Sequence, residues 1–168
     1  ISSMEKFRID VEPILKAESK KDYYLIVVDI DKFKVINTLY GYEKGDQVIA
    51  FLAKKLQKEL KESDYITRSN ADNFVVLKKA ESETEIEKYL NNLFANVNIA
   101  IAEKHINYRM MIKAGIYQVE DTDNNISSII DKAGMAKKTI GETICTPPST
   151  AHIHLVPLST PQSSDPFP

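Results

Sequence analysis

Two carboxylates stand where the patterning around them would hold them rigidly. Tyr23-Tyr24-Leu25-Ile26-Val27-Val28 is a short, continuous apolar run rich in β-branched residues, and it ends in Asp29-Ile30-Asp31. A run of that length and content reads as a strand buried on both faces. Asp72 lies in Asn70-Ala71-Asp72-Asn73, between two further strand-like runs at 65–69 and 74–78. That arrangement reads as a hairpin with its turn at Asn70. A buried strand fixes one carboxylate, and a hairpin beside it can present a second. Two carboxylates with a backbone carbonyl are a usual cradle for Mg²⁺ on a nucleoside triphosphate, where the metal polarises a phosphoryl oxygen and helps activate a hydroxyl. Acidic residues at strand ends and turns are common, so spacing alone leaves a purely structural role open.

The elements that must position these groups follow from periodicity. Ser2 or Ser3 is placed to cap a first helix running to about Ala17, with Met4, Phe7, Val11, Ile14 and Leu15 on one face and Pro13 as a conflict inside it. Phe33, Ile36, Leu39 and Tyr40 predict a short helix stopped by Gly41, with Asp31 near its N-terminus as a candidate cap. Gly45-Asp46 opens a longer helix whose apolar stripe is Val48, Ile49, Leu52, Ala53, Leu56 and Leu60. Ile86, Tyr89, Leu90, Leu93 and Phe94 mark another amphipathic helix, residues 97–102 and 108–119 read as strands, and Ile126, Ile129, Ile130 and Ala133 mark a last helix reaching about Thr139. Strands alternating with helices, plus one hairpin, suggest an α+β fold with helices packed on a mixed sheet.

Composition narrows the chemistry. The chain has 168 residues, 43% of them hydrophobic, and a net charge of -2, which provides no basic footprint for nucleic acid or an acidic membrane. No apolar run approaches the roughly 20 residues that span a bilayer, and no signal peptide is visible, so a cytoplasmic domain is the expectation. The lone Cys145 cannot form an internal disulfide, and the three His do not make up a zinc cage with it. His105 has no partner His within residues 1–142. Six of the seven prolines, Cys145, His152 and His154 all follow Glu142, and residues 143–168 hold one charged side chain, Asp165. This divides the chain into a globular domain at 1–142 and a Pro-rich tail, a linker or foreign extension, at 143–168. Tyr40, Tyr42, Tyr65, Phe51 and Phe94 read as core or half-buried residues rather than a stacking set.

The run from Asp29 is more specific than its carboxylates. Asp29, Asp31, Phe33, Lys34, Ile36, Asn37, Gly41, Gly45 and Asp46 match, in register, the pattern D-x-D-x-F-K-x-I-N-D-x-x-G-H-x-x-G-D, with Thr38 and Tyr42 departing from it. The chain here resembles the GGDEF domains, the diguanylate cyclases and their relatives. Arg68-Ser69-Asn70-Ala71-Asp72-Asn73-Phe74 lies where that family has R-x-G-G-D/E-E-F, and Asp131-Lys132-Ala133 with Lys138 and Gly141 is a weaker third match. The resemblance implies a nucleotidyl-cyclase-like fold with a ferredoxin-like core: a central, mainly antiparallel, five-stranded sheet flanked by helices. It implies Asp29 and Asp72 as metal-binding and catalytic carboxylates, the Ile30 carbonyl as a third ligand, and Mg²⁺ bound with GTP. It further implies Asn37 and Asp46 on the guanine base, Lys34 and Lys138 on phosphates, and Phe33 within the nucleotide-binding signature. In such enzymes two domains face each other as a homodimer, each 3′-hydroxyl attacks the α-phosphate of the other GTP, and cyclic di-GMP and two pyrophosphates result.

The departures carry equal weight. Asn70-Ala71 replaces Gly-Gly, where glycine permits φ > 0 and close backbone approach; Asn tolerates that conformation, while Ala71 adds a methyl group. Asn73 replaces a carboxylate, and Glu142 stands where the family has Arg. The family's product-inhibition slot, R-x-x-D, reads Lys61-Glu62-Ser63-Asp64, and Lys lacks the planar fork of Arg, which predicts weak or absent cyclic di-GMP binding there. Three readings follow. The first is a degenerate GTP/Mg-binding regulatory module of a larger protein, with a phosphodiesterase domain as its expected neighbour. The second is an active diguanylate cyclase, and the third is a ligand-free scaffold or dimerisation module.

Overall fold

The computed structural model describes residues 1–103 and 111–144, with side chains described through residue 136. The fold is organised around β1 (Tyr23–Asp31), which pairs with β3 (Asn73–Lys79) along one edge and β4 (Met111–Gln118) along the other. β2 (Tyr65–Arg68) completes the order β2-β3-β1-β4, and all three strand pairings are antiparallel. This is the ferredoxin-like arrangement, with four strands among the described residues.

Helices cover both faces of the sheet because β1 alternates between two cores. Tyr24, Ile26, Val28 and Ile30 pack with α2 (Phe33–Tyr40), α3 (Tyr42–Lys58) and α4 (Glu83–Glu103). Leu25 and Val27 point the other way, onto α1 (Met4–Lys16) and α5 (Ile126–Ile144) through Phe7, Val11, Leu15, Ile129 and Ala133. Each fully buried Leu, Ile, Val or Phe contributes roughly 1.5–3 kcal/mol of transfer free energy, so the two cores hold the sheet from both sides. Ser3 caps α1, its hydroxyl accepting from the Lys6 amide at 3.2 Å, and α1 runs on through the exposed Pro13.

Several expectations change. Residues 97–102 are helical, not a strand: Val97 and Ile101 prolong the stripe of Ile86, Leu90 and Leu93 at i, i+4 spacing while Ile99 points to solvent. Short β-branched runs imitate strands, and the continuity of the stripe from Ile86 to Ile101 decides otherwise. The longer helix opens at Tyr42, and Gly45 lies inside it. Tyr42 is 79% exposed and belongs to no core, whereas Tyr40, Phe51, Phe94 and Tyr65 are partly buried against the two clusters. α5 continues to Ile144 rather than ending near Thr139. Of the 108–119 strand, β4 covers Met111–Gln118; His105, Cys145, His152 and His154 lie outside the described residues.

Asp64, from the expected inhibition slot, belongs to the interior. Its carboxylate accepts from Lys78 Nζ at 2.9 Å and from the amides of Lys61 and Lys79 at 3.0 and 2.9 Å. The side chains of Lys78 and Asp64 are 4% and 0% exposed, and the ammonium lies 5.0 Å from the Tyr89 ring centroid. A second polar cluster ties α1 to the segment before α5. Lys20 Nζ donates to the carbonyls of Leu15 and Asp123, both at 2.6 Å, while the Asp123 carboxylate accepts from Lys132, Tyr117 and the Glu120 amide.

Two outcomes follow. Asp64→Ala leaves Lys78 buried without its partner and lowers unfolding stability by about 3–5 kcal/mol in urea denaturation. Burial works to raise the Asp123 carboxyl, but its hydrogen bonds from Lys132, the Glu120 amide and Tyr117 outweigh it and hold the group below its ordinary value. A depressed carboxyl stabilises the fold above its unfolded value, about 3.9, and that contribution is lost as pH falls through the lower folded value. Melting temperature measured between neutral pH and strong acid therefore falls more steeply in the native chain than in Asp123→Asn.

Candidate functional site

The sheet brings the two sequence-predicted carboxylates to one end. Asp29 pairs with Asn73 in the β1–β3 register, so Asp72 at the turn lies one residue from a direct partner of Asp29. The Ile30 amide donates to the Asp72 carbonyl at 3.4 Å, joining the end of β1 to the hairpin. Both carboxyl side chains are partly accessible. Lys32 follows at once in the left-handed conformation, φ 54°, which lets the chain pass from strand to helix in a single residue. Lys32 is thus the N-cap of α2, and it makes no side-chain cap bond. Asp31 is not the cap. It is the last residue of β1 and pairs with Lys113 of β4 at 3.1 Å.

The second part is a notch between α2 and α3. Gly41, at φ 84° and ψ 161°, occupies a region that is essentially glycine's alone and turns the chain between the two helices. Gly45 then faces Asn37 so closely that a Cβ there would lie 1.8 Å from Asn37 Oδ1 and 3.1 Å from Phe33 Cζ. Asn37 Oδ1 is buried and has no hydrogen-bond partner among the described residues. Such an atom costs about 1–3 kcal/mol of desolvation unless a ligand supplies a donor. Asp46 is the next residue along α3 and is exposed. Neither Asn37 nor Asp46 caps a helix with its side chain.

The hairpin closes without the special backbone anticipated for it. Among the described residues only Lys32 and Gly41 have positive φ, so neither Asn70 nor Ala71 is left-handed. The turn is held instead by the Ser69 amide on the Asn73 carbonyl at 2.9 Å and by the Arg68 guanidinium, which donates to the carbonyls of Asn70 and Ala71. Asn73 Nδ2 donates to Asp72 Oδ1 at 3.2 Å, occupying one acceptor site of that carboxylate.

The remaining predicted residues are more dispersed. Lys34 is exposed on α2. Phe33 is 9% exposed and belongs to the core on the α2–α3–α4 side of the sheet. Lys138 falls within α5, its side chain beyond those described. Among the described residues no three His, Cys, Asp or Glu side chains gather as a metal cluster. A cavity of about 590 Å³ is lined by Lys61, Ser63, Lys79, Glu81 and neighbours, away from every one of these groups. No described helix is long and apolar enough to cross a membrane.

The family profile for the GGDEF domain of diguanylate cyclases matches residues 7–143. The chain belongs to the GGDEF family. Diguanylate cyclase DgcP of Pseudomonas aeruginosa is 36% identical over 90 residues, 54% of this chain and 13% of that protein. A diguanylate cyclase of Vibrio cholerae is 30% identical over 114 residues, 66% of this chain and 34% of that protein. The chain spans about a third or less of the length of these relatives. Among solved structures, the GGDEF domain of YfiN from Pseudomonas aeruginosa superposes with a TM-score of 0.71 at 22% identity, covering 85% of this chain and 86% of that one. The GGDEF domain of DgcB from Caulobacter crescentus, solved in complex with cyclic di-GMP, has a TM-score of 0.68 at 18% identity, covering 85% and 86%. At such identities these structures establish the shared fold.

Within this GGDEF domain, sequence reasoning passed over Arg68 and Lys113. Arg68 is visible as the basic residue opening the hairpin signature, but its hold on two carbonyls is a matter of turn geometry. Lys113 carries no local signal, because it meets Asp31 only through the β1–β4 ladder. The notch predicts a sharp response. Gly45→Ala forces Asn37 to move and destabilises the domain by about 1–3 kcal/mol. Asn37→Ala added to Gly45→Ala restores much of that loss, a coupling that a double-mutant cycle in urea reads directly.

Proposed function

We propose that this GGDEF domain binds GTP with Mg²⁺ and serves as a regulatory module in cyclic di-GMP signalling, with its cyclase chemistry reduced. The observation that carries the reading is the buried, partnerless Asn37 Oδ1 in the notch made by Gly45. A guanine edge offers N1–H and N2–H donors that suit that oxygen and the neighbouring Asp46 carboxylate, whereas adenine offers a single amino group and a ring acceptor. Asp29 and Asp72 with the Ile30 carbonyl would hold Mg²⁺, and their oxygen-only chemistry fits a hard cation. The metal, when bound, supplies charge neutralisation and polarises a phosphoryl oxygen. Lys34 and Lys138 are assigned to the phosphates.

Reduced chemistry follows from the hairpin. Asn73 brings an amide where the family pattern has a carboxylate, and it ties up Asp72 Oδ1. The Ala71 methyl group stands on the exposed turn where a nucleotide would pass. One observation favours a second reading, that of an active cyclase working as a dimer: Asp72 remains beside Asp29 although both signature glycines are gone.

Isothermal titration with GTP and Mg²⁺ tests the proposal. The expected result is saturable binding, preferred over ATP and weakened about tenfold or more in Asn37→Ala, with little cyclic di-GMP detected by chromatography. Absence of binding at millimolar GTP would falsify the reading. Robust product formation that disappears in Asp72→Ala establishes the cyclase instead.

A further inference from the structure

The carboxylate end contains a cation of its own. Lys113 lies directly across from Asp29 in the β1–β4 register, and its ammonium pairs with Asp31 at 3.1 Å. Directly opposed residues in an antiparallel pair share a face, and so do residues two apart on one strand. Asp29, Asp31, Asn73 and Lys113 therefore project from the same face at the same end of the sheet. Lys113 and Asp31 are 38% and 24% exposed, so the pair sits at the surface of the site, within reach of an incoming ligand.

Resting on the GTP/Mg²⁺ reading above, we propose that Lys113 makes metal uptake at this site conditional on the nucleotide. Without a nucleotide, the ammonium offsets part of the negative field of Asp29, Asp31 and Asp72 and repels a free divalent cation. Doubling the charge on one partner doubles the Coulomb term, so removing Lys113 tightens binding of a free divalent ion by roughly tenfold at distances spanning one or two side chains. A triphosphate reverses the balance. Its negative charge exceeds that of the carboxylates, and the same ammonium becomes attractive to the metal–nucleotide complex. The domain thereby discriminates against the free cation and takes metal and polyphosphate as one unit.

Mn²⁺ is the probe, its free fraction followed by electron paramagnetic resonance with and without GTP. Lys113→Met and Lys113→Gln are expected to bind Mn²⁺ alone roughly tenfold more tightly than the native chain, while Lys113→Arg, which keeps the charge, stays near native. The neutral variants are also expected to lose affinity for GTP in the presence of metal. A merely structural Lys113 would not separate charge-keeping from neutral replacements in this way. Equal or weaker binding of Mn²⁺ alone in both neutral variants, in a domain whose native form binds GTP with Mg²⁺, overturns the role of Lys113 alone. Failure of the native chain to bind GTP at all overturns instead the reading on which it rests.

Discussion

β1 is hydrogen-bonded along both edges, and the rest of the molecule depends on that constraint. Two antiparallel ladders hold it between β3 and β4, and its alternating side chains feed two separate cores. A slip of one residue in either ladder would turn Ile26, Val28 and Ile30 out of one core and force Asp29 into it. Register is therefore fixed by the burial of the apolar side chains of β1, β3 and β4 rather than by anything polar at the site. Asp29 inherits its position opposite Asn73 and Lys113 from packing well away from it.

The α2–α3 notch is the second consequence of core packing. Phe33 and Ile36 anchor α2 on the sheet, and Val48, Ile49 and Leu52 anchor α3 beside it. With both helices held, Gly45 is the residue that allows their close approach, and Asn37 fills the space a side chain would take. The apolar residues thus hold in place a polar atom that the fold itself does not satisfy. Packing sustains that local cost.

Asp64 shows the opposite movement, from a surface motif to a structural part. Its carboxylate is shared among one buried ammonium and two backbone amides, a set of partners that compensates its desolvation. Both oxygens of the acid are thus engaged within the fold. Lys78, on β3, is what draws it inward, and nothing in the four-residue slot announces that.

Much was legible in the chain itself. The buried strand, the hairpin, the helix stop at Gly41 and the amphipathic stripes follow from periods of two and 3.6, which are properties of consecutive residues. The carboxylates Asp29 and Asp72 stood out by type and placement, whereas Asn37 and Asp46 came into view only through the family signature they complete. Residues 97–102 misled because β-branched side chains suit a strand and a buried helix face alike, and only the continuing stripe of α4 resolved them. What tertiary structure alone decided is which residues meet: Lys113 with Asp31, Lys78 with Asp64, Asn37 with the vacant flank of Gly45, and the carbonyls that let Arg68 close a turn lacking its glycines. Local periodicity states which face a residue takes. Its neighbour on that face comes from a different stretch of chain, chosen by the register and helix packing that bury the most apolar surface at once.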